Sequence, residues 1–202
     1  MIGVIDYGLG NMFSLLHALK HIGADFTIVN TATEENLDAL ILPGVGAFPE
    51  GMKKLINSGM IDFIVKWRKP LLGICLGMQL LFSDSEEFTH TKGLDLIEGN
   101  VVKIKGNLKI PHMGWNGLDF HIKTSLCDGI SSGDNMYFVH SYKVETPKEY
   151  VVATAEYGQD ITAIVKKDNV IGMQFHPEKS GECGLKLLKN FVKMSKNYNS
   201  NT

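Results

Sequence analysis

The sequence predicts an α/β fold: a mostly parallel central sheet with helices on both faces, joined in its second half by antiparallel additions. Three observations carry that expectation. In the first half, unbroken apolar runs of about four residues alternate with amphipathic stretches, as strands buried on both faces require. From Gly93 onward, short apolar runs follow one another with turn residues between them. Finally, 202 residues with 44% hydrophobic and 21% charged side chains can bury a large core without disulfides or metals.

The elements follow in order. Residues 2–5 form the first apolar run, and Met12, Leu15, Leu16, Leu19 and Ile22 then recur at helical spacing. Residues 26–29 and 39–42 read as the second and third strands. Pro49 sits where a helix begins, with Met52, Leu55 and Ile56 on one face. Residues 71–74 read as a fourth strand and 76–82 as a helix directly after it. Beyond Gly93 the candidate strands are 94–97, 101–104, 136–140, 150–155, 162–165 and 170–175. A helix over 185–194 closes the fold, and the polar residues 195–202 are expected to fray. No repeat, linker or low-complexity segment divides the chain, so 1–202 reads as a single domain.

Composition excludes several classes of function. The net charge of −2 offers no footprint for nucleic acid. Cys75, Cys127 and Cys183 are odd in number and lack C-x-x-C spacing, which argues against a disulfide framework or a zinc site. His17 and His21, four residues apart, read as a helix surface, and no metal site is expected. No signal peptide or membrane span is visible, so the expectation is a soluble, cytoplasmic chain.

The strongest local motif is Gly73, Cys75 and Gly77, a G-x-C-x-G on a strand-to-helix turn. It is the cysteine version of the nucleophile elbow, in which glycines allow a sharp turn and a close approach of neighbouring chain. Free N–H groups at the helix start favour a thiolate and then an oxyanion. The alternative is a cysteine merely buried between small residues. His176, Pro177 and Glu178 form the second motif. Proline biases His176 to an extended conformation, which places residues i and i+2 on one side, as a base needs its orienting acid. Alone it reads equally as a surface turn. The third is Pro43-Gly44-Val45-Gly46 after a strand, a place to aim N–H groups at an oxyanion, or a plain glycine turn. Gly8 and Gly10 lack a third glycine at Phe13 and an acid at Asn30, so no dinucleotide site is expected.

Together these motifs resemble the class I, triad-type glutamine amidotransferases. The likeness runs through almost the whole chain, including residues 5–11, 42–48, 72–82, 110–116, 137–142 and 174–180. It implies a flavodoxin-like amidotransferase fold, no cofactor, and hydrolysis of L-glutamine through a cysteine thioester. Segments 5–11 and 110–116 are similar to one branch, the glutaminase subunits that supply ammonia to a separate (β/α)8-barrel cyclase in histidine biosynthesis.

By that resemblance Cys75 is the nucleophile, His176 the general base and then acid, and Glu178 its orienter. Gln79, Glu87, Ser141 and Tyr142 match positions that contact glutamine. Gly44 and Val45 fall on an oxyanion strand that rearranges before its N–H is available, and Leu76 supplies the other N–H. Asn11, His112, Met113, Trp115 and Asn116 match the face towards the cyclase. Lys103, where arginine is expected, and Asp95, where relatives often have glycine, depart from the pattern. Both bear on the partner and not on the thiol. Arg68 is the only arginine, which fits a chain that holds only a zwitterionic amino acid while the partner holds a phosphorylated nucleotide. Two rival readings are an ammonia supplier for a paralogous sugar-amidinating enzyme, and a binding module that kept the fold without catalysis.

Overall fold

The computed structural model describes residues 1–32, 37–106 and 108–200, the last two by backbone only. The first half runs β1 (Ile2–Ile5), α1 (Met12–His21), β2 (Phe26–Val29), β3 (Ala39–Leu42), α2 (Phe48–Ser58), α3 (Ile61–Lys66), β4 (Leu71–Ile74) and α4 (Leu76–Leu80). The four strands stand where the apolar runs place them. All residues of β1, β3 and β4 are buried, as helices on both sheet faces demand. The short α3 was not legible as a separate helix, and α4 ends two residues before the expected boundary.

The second half runs β5 (Asp84–Ser85), β6 (Thr91–Lys92), β7 (Asn100–Lys103), β8 (His112–Gly117), β9 (Asp119–Phe120), β10 (Asn135–His140), β11 (Tyr142–Glu145), β12 (Val151–Glu156), β13 (Asp160–Lys167), β14 (Val170–Met173) and α5 (Gly181–Ser200). The main sheet has the order β2-β1-β3-β4-β14-β13-β12-β9. It is parallel from β2 to β14, and β13, β12 and β9 extend it antiparallel. The order β11-β7-β5-β6 forms a small second sheet, and β10 pairs with β8 in a separate ribbon.

Three sequence expectations fail. Residues 94–97 are not a strand: Leu94 and Ile97 are both buried, a spacing of three rather than two. The N–H groups of residues 93–97 donate to the carbonyls of Leu80, Leu81, Phe82 and Ser83. That segment therefore wraps the end of α4 and satisfies its orphan acceptors. Residues 170–173 form a strand that runs parallel to β4, although its neighbour β13 is antiparallel. Residues 195–200 do not fray: they continue α5, with Ser195 buried and Tyr198 Oη donating to the Arg68 carbonyl at 3.0 Å. The remaining two residues, 201–202, lie outside those described.

Two hydrophobic cores lie against the sheet. One gathers Leu15, Leu19, Phe138, Phe175, Leu188 and Phe191; the other gathers Phe48, Leu55, Ile64, Leu80, Phe82 and Ile97. Among the described residues, no helix is long and apolar enough to cross a membrane.

Register decides what meets at the carboxyl ends of the strands. Leu42 lies opposite Gly73 and Met173 opposite Ile74, so the chain leaving β3, β4 and β14 emerges side by side. Those three exits carry Gly44, Cys75 and His176. Glycine is required for so close a meeting: a Cβ on Gly77 would lie 1.8 Å from the Leu42 carbonyl oxygen. A Cβ on Gly73 would lie 2.6 Å from that of Gly77. The two glycines flanking Cys75 thus serve close approach of backbone, as the elbow motif predicts.

Candidate active site

Cys75 stands between β4 and α4 with φ 54° and ψ −111°, a conformation rarely adopted outside glycine. Its N–H donates to the Met173 carbonyl at 2.8 Å, which pins the turn to β14. Its Sγ lies 3.9 Å from the Val139 carbonyl oxygen and 3.8 Å from Gln174 Nε2. The residue is 7% exposed and lines a cavity of about 280 Å³.

His176 lines the same cavity. Its Nδ1 donates to Glu178 Oε1 at 2.8 Å, and both side chains are buried. That bond fixes the tautomer and leaves Nε2 as the working nitrogen. Burial by itself lowers the His176 pKa. Hydrogen bonding and charge from Cys75 and Glu178 outweigh it and raise the value to about 10. The site therefore favours a proton on the imidazole. A thiol, an imidazole and a buried carboxylate in this order form a relay that can activate sulfur for attack on a carbonyl carbon. Glu178 Oε2 is buried without a hydrogen-bond partner among the described residues.

Most of the residues expected at a substrate site share this cavity. Val45, Leu76, Gln79, Glu87, Ser141 and Tyr142 all line it. Glu87 Oε2 accepts from Phe48 N–H at 2.7 Å, capping α2, which has no side-chain cap of its own. Burial raises the Glu87 pKa and the Phe48 bond partly offsets it. Gln79 Nε2 donates to the Tyr142 carbonyl at 3.1 Å and to Gln174 Oε1 at 3.0 Å.

Gly44 reaches the site in an unexpected way. Its carbonyl accepts the Leu76 N–H at 3.3 Å. One of the two expected oxyanion donors is therefore occupied by the loop that should bring the other.

The residues expected to face a partner divide between surface and interior. Met113 and Trp115 are 61% and 58% exposed, which excludes core packing for Trp115 within this chain. His112 is 2% exposed and turns inward, stacked between Phe138 and Tyr157. The reason is the strand: side chains alternate in β8, so 113 and 115 share one face and 112 the other. Asn116 Nδ2 donates to the Glu156 carbonyl at 2.7 Å. Asn11 stands at the start of α1 without a capping hydrogen bond from its side chain, and lines a small cavity with Gly44, His176 and Glu178.

Three residues without an assigned role at the sequence level belong to the site: Tyr7, His140 and Gln174. Period-two alternation with buried Met136 and Phe138 is the signal that finds His140. A chain of donors runs through it. Asn116 Nδ2 donates to His112 Nε2 at 3.4 Å, His112 Nδ1 to His140 Nε2 at 3.1 Å, and His140 Nδ1 to the Tyr142 carbonyl at 2.7 Å. That pattern requires both imidazoles neutral. Burial lowers His112, and burial with the nearby His112 and His176 charges lowers His140 to about 4, against the Tyr142 bond.

Stability follows with a definite sign. A histidine depressed below its unfolded value contributes stability above the unfolded pKa and loses it as pH falls towards the folded one. Between pH 6.5 and pH 4, His140 is expected to remove about 3 kcal/mol of stability. Denaturant titrations at both pH values should show the loss in the parent chain and a smaller one in His140→Gln. An equal loss in both would reject the assignment.

Comparison with known proteins agrees with this geometry. A family model described as glutamine amidotransferase class-I matches residues 3–194. The imidazole glycerol phosphate synthase subunit HisH of Caldanaerobacter subterraneus subsp. tengcongensis is 53% identical, over 97% of this chain and 99% of that protein. The HisH subunit of Methanosarcina acetivorans is 52% identical, over 95% of this chain and 97% of the relative. Two solved structures share the fold. A glutamine amidotransferase superposes with a TM-score of 0.76 at 22% identity, covering 96% and 98% of the two chains. PurLQS from Thermotoga maritima gives 0.74 at 19%, covering 96% and 97%. With the family model spanning both the cysteine elbow and His176, and full-length HisH relatives sharing about half of its residues, this chain belongs to the class I glutamine amidotransferases, in the HisH branch.

Proposed function

We propose that the chain is the glutaminase subunit of an imidazole glycerol phosphate synthase. It hydrolyses L-glutamine to glutamate and passes the ammonia to a (β/α)8-barrel cyclase in histidine biosynthesis. We read residues 1–202 as one cytoplasmic amidotransferase domain, a reading supported by the two cores that share one sheet. The single observation that carries the chemistry is the Cys75, His176 and Glu178 relay at the wall of the cavity.

In this mechanism His176 takes the Cys75 proton and the sulfur adds to the carboxamide carbon. The carbon–nitrogen bond then breaks, and His176 gives its proton to the departing nitrogen, releasing ammonia. Water adds to the thioester with His176 again as base. The carbon–sulfur bond breaks, the thiol regains its proton, and glutamate leaves. Glu178 holds the imidazole in the required tautomer throughout. Glu87 has Oε1 left for the substrate ammonium, while Gln79, Ser141 and Tyr142 surround the rest of the amino acid.

The N–H groups of Leu76 and Val45 hold the tetrahedral oxyanion. The first must be freed from the Gly44 carbonyl, and turning the Gly44–Val45 peptide does both tasks at once. Asn11, His112, Met113, Trp115 and Asn116 serve the partner side. Met113 and Trp115 form the exposed patch that meets the cyclase, and His112 and Asn116 support it from behind.

A gene deletion tests the pathway. The deleted strain should need histidine, and the parent gene should restore growth where a Cys75→Ala gene does not at limiting ammonia. Growth without histidine, with no duplicate subunit in the genome, would move the assignment to a sugar-amidinating partner.

A further inference from the structure

Tyr7 lies just beyond the carboxyl end of β1, as Gly44 lies just beyond that of β3. Those strands are parallel neighbours with Val4 opposite Ile41, so residues 7 and 44 leave the sheet at the same level. The tyrosine is 4% exposed, and its hydroxyl is buried with no hydrogen-bond partner among the described residues. It occupies the space a side chain at position 44 would need: a Cβ on Gly44 would stand 2.6 Å from the Tyr7 oxygen.

A phenylalanine would fill this site without burying an unpaired donor, so the hydroxyl calls for a partner the resting arrangement does not provide. The backbone that the hydroxyl approaches is that of Gly44, whose carbonyl is held in the resting chain by Leu76 N–H. A glycine pivot lets that carbonyl rotate about its own Cα.

We propose that Tyr7 is a positioning residue for the oxyanion loop: its hydroxyl donates to the Gly44 carbonyl once the Gly44–Val45 peptide has turned and freed Leu76 N–H. The resting state thus carries an unsatisfied buried donor that the turned state satisfies. The loop is biased towards the competent arrangement without being locked there. Burial and the neighbouring Cys75 both raise the Tyr7 pKa, so the hydroxyl keeps its proton and remains a donor. The inference rests on the glutaminase reading and adds to it a residue that acts on the loop and not on glutamine.

The test is Tyr7→Phe in the chain bound to its cyclase, followed by three readouts. The first is kcat and KM for glutamine. The second is the rate at which iodoacetamide alkylates the Cys75 peptide, a substitution at sulfur that needs no oxyanion donor. The third is the melting temperature of the free chain. The expected result is a kcat lower by about 5- to 10-fold, as the loss of one buried hydrogen bond gives. KM and alkylation should be unchanged, and the melting temperature equal or higher. A kcat within about twofold of the parent would overturn the assignment, since a hydrogen bond made only in the active arrangement must show there. Parallel losses in kcat and alkylation would overturn it too, by placing Tyr7 on the thiol. A lower melting temperature would show that the hydroxyl is already satisfied at rest. If the parent complex released no glutamate, the glutaminase reading would fall, and the Tyr7 inference with it.

Discussion

Replacing Cys75 with alanine is expected to lower glutamine-dependent turnover by about 10⁴-fold or more, because members of a triad act as a unit. The substitution deletes only a sulfur whose contacts with Gln174 and Val139 are long, at 3.8 and 3.9 Å, so the fold should stand. The cyclase reaction should persist when an ammonium salt replaces glutamine, since ammonia is what this subunit delivers. Glutamate formation and cyclase product, measured side by side, separate a lost nucleophile from a broken complex. Full glutamine-dependent activity in Cys75→Ala would end the catalytic assignment.

Cyclase binding should raise kcat for glutamine by about 10²- to 10³-fold, the effect of one oxyanion donor gained. The cause is on view in the resting chain, where the Gly44 carbonyl holds Leu76 N–H at 3.3 Å. KM should move far less. Gln79, Glu87, Ser141 and Tyr142 already line the cavity, so under the proposed reading the ground-state contacts to glutamine precede the oxyanion donors. Steady-state kinetics on the free chain and on the complex decide the point. A free chain as fast as the complex would mean that the blocked donor does not matter.

Much of the site was legible locally. The Gly73, Cys75 and Gly77 spacing required a sharp turn, and the structure shows why each glycine is needed: other backbone lies where a Cβ would stand. His176 is extended, as the proline after it requires, but the extended run stops there: Pro177–Lys179 is a 3-10 turn, and that turn brings the Glu178 carboxylate back to His176 Nδ1. The misreadings share a cause. Residues 94–97 look like a strand by apolarity but serve as a wrap for the end of α4, and apolarity alone does not report the partner of a backbone N–H. His112 looks like a surface residue until β8 forms and alternation turns it inward.

The sequence by itself determined the strands and helices of the first half, the elbow and the imidazole–carboxylate pair, because these depend on contacts a few residues apart. Only the tertiary structure decided that three distant loops meet, since parallel pairing of β3, β4 and β14 fixes their register across the 132 positions (176 − 44) that separate Gly44 from His176, and no local pattern encodes it. It alone decided that Leu76 N–H is occupied and that the Tyr7 hydroxyl has no hydrogen-bond partner among the described residues. Both depend on where one peptide carbonyl points, a choice that glycine leaves open in the chain and packing makes in the fold.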